Sequence, residues 1–165
     1  MEQLLNNDWT LYCETTTSNT VPNLPIHFPT DIHTELLANQ LIPDPYWRNN
    51  ETALDWVHES IWRAEKHIHI KTLDHSYTLT IEQLDCQAAI YLNNVMIQRC
   101  NNQFRRYDIE LSTLTLGENT LTIRFLSNTQ TAKDQFADFP FPLPYLERNC
   151  RLGHFNFLRK TACHA

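Results

Sequence analysis

Apolar and polar residues alternate with a period of two through much of the chain, and the longest such run lies between Leu84 and Leu111. Cys86, Ala88, Ile90 and Leu92 fall on one side of it, with Gln87, Ala89 and Tyr91 on the other. Asn93-Asn94 follows, two residues that tolerate left-handed backbone, and predicts a two-residue hairpin turn into a strand over 95–99. Cys100-Asn101-Asn102 turns the chain again, after which Tyr107, Ile109 and Leu111 alternate with Arg106, Asp108 and Glu110. The stretch reads as three consecutive strands of one antiparallel sheet with one buried face.

The same pattern places the other elements. Asp8 to Cys13 is a short strand rich in aromatic and β-branched residues. Pro22, Pro25 and Pro29 exclude a helix over 18–29 and allow only edge or extended backbone. Thr30 is placed as the N-cap of a short helix that turns Ile32, Leu36 and Leu37 inward and fades near Asn39-Gln40. Two prolines then hold Ile42 to Tyr46 extended, and Trp47, Trp56 and Trp62 are expected to plug the core. Strands follow over 61–71, with Trp62, Ala64, Lys66, Ile68 and Ile70 on one face, and over 77–81. Gly117-Glu118-Asn119 is read as a tight turn before a strand over 120–125, and 129–139 as a helix opened by an Asn/Thr cap. The segment 139–145 is proline-locked, and 149–165 is aromatic and basic without a clear period. About eight short strands with few helices predict a two-sheet β-sandwich.

Composition narrows the function classes. At 165 residues the chain suffices for one domain, taken as 1–165. A net charge of −6 leaves no basic surplus to neutralise phosphates, which argues against a nucleic-acid partner. No apolar run approaches the roughly 20 residues of a membrane helix, and the start lacks a secretory leader. Five cysteines, an odd count without paired spacing, read as free thiols in a reducing cytosol, so a cytoplasmic location is expected.

Several landmarks carry a resemblance, and they occur in order along nearly the whole chain. They are Asp8-Trp9-Thr-Leu; Pro29 through His33-Thr-Glu-Leu-Leu37; Leu41-Ile-Pro-Asp-Pro-Tyr46; Asn50-Glu51; and Leu54-Asp-Trp-Val57. Trp62, Leu84-Asp85, Ile90-Tyr-Leu-Asn93, Asn102-Gln-Phe-Arg-Arg-Tyr107, Gly117-Glu-Asn-Thr-Leu121 and Asn156-Phe-Leu-Arg-Lys160 continue the series. With these the chain resembles the N-terminal domain of the β-mannosidases of glycoside hydrolase family 2. The resemblance implies an all-β fold, a jelly-roll or galactose-binding-domain-like two-sheet antiparallel β-sandwich with one or two short helices. It differs from the family at Asn94, where glycine is usual, at Cys86, where threonine is usual, and at Ala64, where an aromatic is typical. In the family the Arg-Lys segment leads into a Gly-Trp-Asp-Trp-Gly signature whose side chains help shape the mannose pocket; here the 165-residue chain stops at Cys163-His164-Ala165, before that signature.

The resemblance implies a non-catalytic domain of an exoglycosidase that removes terminal non-reducing β-D-mannose with retention, supporting a catalytic barrel and bordering its pocket. The chain alone is expected to be inactive, with no catalytic residue, cofactor or metal of its own. Asn156, Arg159 and Lys160 are the residues the resemblance sets beside the pocket. The expected partners are the barrel, mannosides or manno-oligosaccharides, and a second copy through an exposed interdomain face. A self-standing carbohydrate-binding module and a protein-interaction scaffold are the alternatives. Retaining hydrolysis needs two carboxyl groups about 5–5.5 Å apart, and in the family both sit on the barrel. Asn50-Glu51 imitates a catalytic Asn-Glu pair, yet its context matches the sandwich's own, so a loop hydrogen-bonding role is expected. His67 and His69 share a strand face without an evident third ligand and read as solvent-facing. Arg105 and Arg106 are surface basic residues, Arg106 lying beside Asp108 and Glu110.

Overall fold

The computed structural model describes residues 2–15, 20–141 and 157–160. Strands β1 (Trp9–Cys13) and β2 (Leu24–Ile26), helix α1 (Ile32–Ala38), a 3-10 turn (Asn50–Ala53) and helix α2 (Asp55–Glu59) lead into strand β3 (Trp62–Ile70). Strands β4 (Thr78–Ile81), β5 (Ala88–Leu92), β6 (Val95–Cys100), β7 (Tyr107–Glu110) and β8 (Gly117–Phe125) follow, then helix α3 (Asn128–Ala137). Two antiparallel sheets result: a six-stranded one in the order β2-β1-β3-β8-β5-β6, and a two-stranded one, β4-β7. Both face one core, in which Trp62, Leu36, Ile90, Leu92 and Leu121 are fully buried and Leu79, Ile109 and Leu111 come from the small-sheet side. Among the described residues three short α-helices occur, against the one or two expected.

The alternation explains most of the register. β3 buries Trp62, Ala64 and Lys66 and turns His67 and His69 to solvent, as read from the sequence. Its nine residues pair along the full length of β8, from Trp62 opposite Phe125 to Ile70 opposite Gly117. Asn93 and Asn94 adopt φ 51° and 66°, the left-handed pair that a two-residue turn matching strand twist requires. Pro25 sits in β2, at the edge of the large sheet, where its missing N–H interrupts no ladder.

Five expectations are corrected. β7 pairs with β4 in the second sheet and not with β6, so the three strands of 84–111 do not form one sheet. Ala89 is buried although it alternates with the core-facing row; its register partners on that face are Arg99 and Arg124, and long stems beside so small a side chain can shield it from water. The N-cap of α1 is Asp31, whose carboxylate accepts the Thr34 N–H at 3.0 Å, while the Thr30 hydroxyl donates to Glu35 at 2.6 Å. Leu37 is 39% exposed; on a seven-residue helix Leu36 alone reaches full burial. Gly117 is the first residue of β8 at φ +87°, not the middle of a turn. The reversal is made upstream, where Asn119 folds back onto Thr115. Pro142 to Tyr145 and most of 149–165, with Cys150 and Cys163, lie outside the described residues.

Candidate functional site

The segment Phe157 to Lys160 lies against the turn after β6. Asn102 and Arg159 form an isolated parallel bridge, and the Gln103 N–H donates to the Arg159 carbonyl at 2.8 Å. Phe157 packs edge-on against Phe139, with centroids 5.4 Å apart, and against Phe136 of α3. Arg159 is exposed, whereas the Lys160 ammonium lies 3.0 Å from the Asp85 carboxylate. Asn156, the third residue expected beside the pocket, lies outside the described residues.

A cleft of roughly 390 Å³ that the sequence reading did not anticipate lies between α1, the 3-10 turn and α2. His33 of α1 and Pro45 line one part of it, and Leu54, Asp55 and His58 at α2 another. Glu51 and Thr52 of the 3-10 turn complete the wall. The His33 imidazole is held below its usual value, chiefly by burial; Asp31 opposes the shift, and the charges of His58 and Lys160 add to it. Lys160 thus lies within electrostatic reach of His33. The Glu51 carbonyl accepts the Leu54 N–H at 3.1 Å within the 3-10 turn, and the exposed residue borders the cleft.

The turn bordering the cleft is tightly built. Asp44 accepts the Tyr46 N–H on its carboxylate at 2.9 Å, and its carbonyl accepts the Trp47 N–H at 3.1 Å and the Asn50 side-chain amide at 2.9 Å. Arg48 takes a left-handed φ of 57° and sets its guanidinium 5.5 Å from the Trp47 ring centroid. Tyr46 is left 96% exposed and Trp47 61% exposed. Trp47 thus departs from the core role expected for the three tryptophans, which Trp62 fulfils, with its indole N–H donating to Val57 O at 2.9 Å, and Trp56 fills in part. The signal that could have pointed here is Pro43 and Pro45 placed directly before and beside two adjacent aromatics, Tyr46 and Trp47.

Other candidates have local explanations. His69 bonds Glu118 at 2.6 Å, and His67 lies 3.3 Å from the Thr120 hydroxyl; among the described residues no group of three potential ligands could hold a metal. Arg106 pairs with Asp108 and Glu82, both at 3.1 Å, as a surface residue. Burial pushes the Cys86 thiol up to about 12 and Cys100 up to about 11, so neither is a nucleophile at neutral pH. No helix among the described residues is long and apolar enough to cross a membrane.

A probable β-mannosidase of Caenorhabditis elegans is 30% identical over 158 residues, 90% of this chain and 18% of that protein. The β-mannosidase of Rattus norvegicus is 29% identical over 153 residues, 88% of this chain and 17% of its own length. The crystal structure of the β-D-mannosidase of Dictyoglomus thermophilum superposes with a TM-score of 0.77 at 26% identity, over 87% of this chain and 18% of that one. An exo-chitosanase from Amycolatopsis orientalis, at 12% identity and a TM-score of 0.61, shares the fold. The chain thus spans less than a fifth of the length of these relatives. The family model described as glycosyl hydrolase 2 galactose-binding domain-like matches residues 9–165, and the chain belongs to that family.

Proposed function

We propose that the chain serves as the non-catalytic N-terminal sandwich of a β-mannosidase-like exoglycosidase. The parent enzyme would remove terminal non-reducing β-D-mannose with retention, and this domain would support its catalytic barrel and border the substrate pocket through Arg159 and Lys160. The observation that carries the reading is the coverage: matches spanning 85–90% of this chain occupy only 17–18% of β-mannosidases several times its length. A sandwich by itself licenses no activity, and the carboxyl pair that retention demands would come from the barrel.

The test is an assay of the pure 165-residue chain with an aryl β-D-mannopyranoside. Release of the phenol at the buffer rate is expected; enzymatic release above it would overturn the non-catalytic role. Sequencing the gene beyond the codon for Ala165 tests the partner: an open frame running into a barrel is expected, and an in-frame stop there would remove the supporting role.

A further inference from the structure

We propose that the turn at 44–48 is a docking point, with Tyr46 and Trp47 inserting into an apolar, basic-rimmed socket on the part of the parent enzyme outside this chain. The proposal rests on the role proposed above and names where the two parts meet. The turn is built before a partner arrives. Tyr46 and Trp47 are adjacent, 96% and 61% exposed, and each such ring buries on the order of 150–250 Å² once it finds a pocket. The Asp44 carboxylate and carbonyl hold the backbone N–H groups of Tyr46 and Trp47 and the Asn50 amide. Arg48, at a left-handed φ, sets its guanidinium beside the Trp47 ring. Rings ordered in advance lose little entropy on docking, and Trp, Tyr and Arg are the residue types that dominate interface hot spots.

Length and charge select the occupant. This chain matches 18% of the Caenorhabditis elegans relative and 18% of the Dictyoglomus thermophilum enzyme, so in a protein of that size most of the polypeptide is available to meet it. Interfaces between domains of one chain bury about 600–1,500 Å², and two large rings suffice for the centre of such a contact. Around them the surface is acidic. Asp44, Glu51 and Asp55 are exposed, Pro45 beside Tyr46 lines the same cleft as Glu51 and Asp55, and the whole chain carries −6. A two-fold contact with a second copy sets a patch against itself and would bring these carboxylates together. A rim of Arg or Lys around an apolar socket matches both the rings and the charge, and like charges reject the second copy.

The experiment is hydroxyl-radical footprinting read by peptide mass spectrometry, on the 165-residue chain and on the full-length enzyme encoded by its gene. Tyr46 and Trp47 should oxidise rapidly in the 165-residue chain and about tenfold more slowly in the full-length enzyme, because buried anchors are desolvated. Trp47→Glu puts a charge where the socket is apolar. It should leave the melting temperature of the 165-residue chain within a few degrees and raise Tyr46 oxidation in the full-length enzyme severalfold. Equal oxidation in the two proteins, or protection that survives Trp47→Glu, would overturn the docking point. Protection that rises with concentration in the 165-residue chain, alongside a sedimenting dimer, would make the occupant a second copy and overturn it too. These failures leave the non-catalytic role standing, which the aryl mannoside assay decides. An in-frame stop at the codon after Ala165 would instead remove the supporting role and the docking point together.

Discussion

Replacing Asn119 by alanine removes the most heavily used polar side chain in the core. Asn119 is 1% exposed at the start of β8. Its Oδ1 accepts the Asn93 side-chain amide at 2.8 Å, the Thr115 N–H at 2.9 Å and the Thr115 hydroxyl at 3.1 Å. Its Nδ2 donates to the carbonyls of Thr115 at 2.7 Å and Gly117 at 3.1 Å. Each such bond contributes about 0.5–1.5 kcal/mol net, and a buried group left without a partner costs more. Thr115 is exposed and Gly117 half-buried, so water recovers part of the loss there. The Asn93 Nδ2 amide loses its acceptor while its Oδ1 keeps the Thr120 N–H at 2.9 Å, and from a half-buried position water recovers only part of that donor's loss. The expected cost is about 3–4 kcal/mol, near the lower end of that summed range. For a chain of this size it corresponds to a fall in Tm of about 6–16 °C. Asn119→Asp should cost at least as much, since it keeps the acceptor, loses both donors and buries a charge. Urea unfolding followed by tryptophan fluorescence measures both, with the slope checked for constancy. A loss below about 1 kcal/mol for Asn119→Ala would refute the claim that this network holds the 115–119 reversal.

Other outcomes follow from the same structure. Asp31→Ala should destabilise by about 1 kcal/mol through loss of the α1 cap, and Thr30→Ala by clearly less; equal losses in urea unfolding would return the cap to Thr30. Lys66 donates to Asn7 O at 2.6 Å from a nearly buried position, so Lys66→Ala should cost about 1–3 kcal/mol by the same measurement, from the charged hydrogen bond and the buried stem. His33 is depressed in the folded state below the ordinary 6.5, so the unfolded chain takes up protons first. Its contribution is full above that value and is lost as pH falls through the folded value; His33→Gln should flatten this acid-side decline in stability. Iodoacetamide at mildly alkaline pH should label Cys13 before Cys86 or Cys100, whose thiols are buried and raised to about 12 and about 11; peptide mass spectrometry reads the order.

The strands were legible because burial on one face writes itself as a period of two. β3 shows this even at Lys66, which keeps its place in the inward row by reaching the Asn7 carbonyl. The 93–94 turn was legible because asparagine is among the few residues that tolerate φ above zero. Sheet membership was not. β7 alternates Tyr107 and Ile109 with Asp108 and Glu110, and alternation reports that a face is buried without reporting which sheet buries it. The cleft was hidden for a related reason. Its residues come from α1, a loop, a 3-10 turn and α2, none of which repeats long enough to carry a periodic signal. Trp47 was misplaced because hydrophobicity alone favours the core, whereas the exposure of its ring is decided by the Asp44 bonds that shape its turn.

The full-length pairing of β3 with β8 bears on how the chain acquires its fold. β3 is the axis of the large sheet, with β1 on one side and β8 on the other, and β8 in turn seats β5 and β6. Residues 62–70 must find partners at 117–125, so tens of residues are looped out before the contact repays the entropy of closing them. Such non-local pairing slows folding. On the ribosome, β1, β2 and β3 can assemble early, but the inward row of β3 waits for β8 to be made. A boundary drawn between β6 and β8 therefore removes the strand that joins the two halves of the sheet, leaving the facing edges of β3 and β5 unpaired and prone to join other chains.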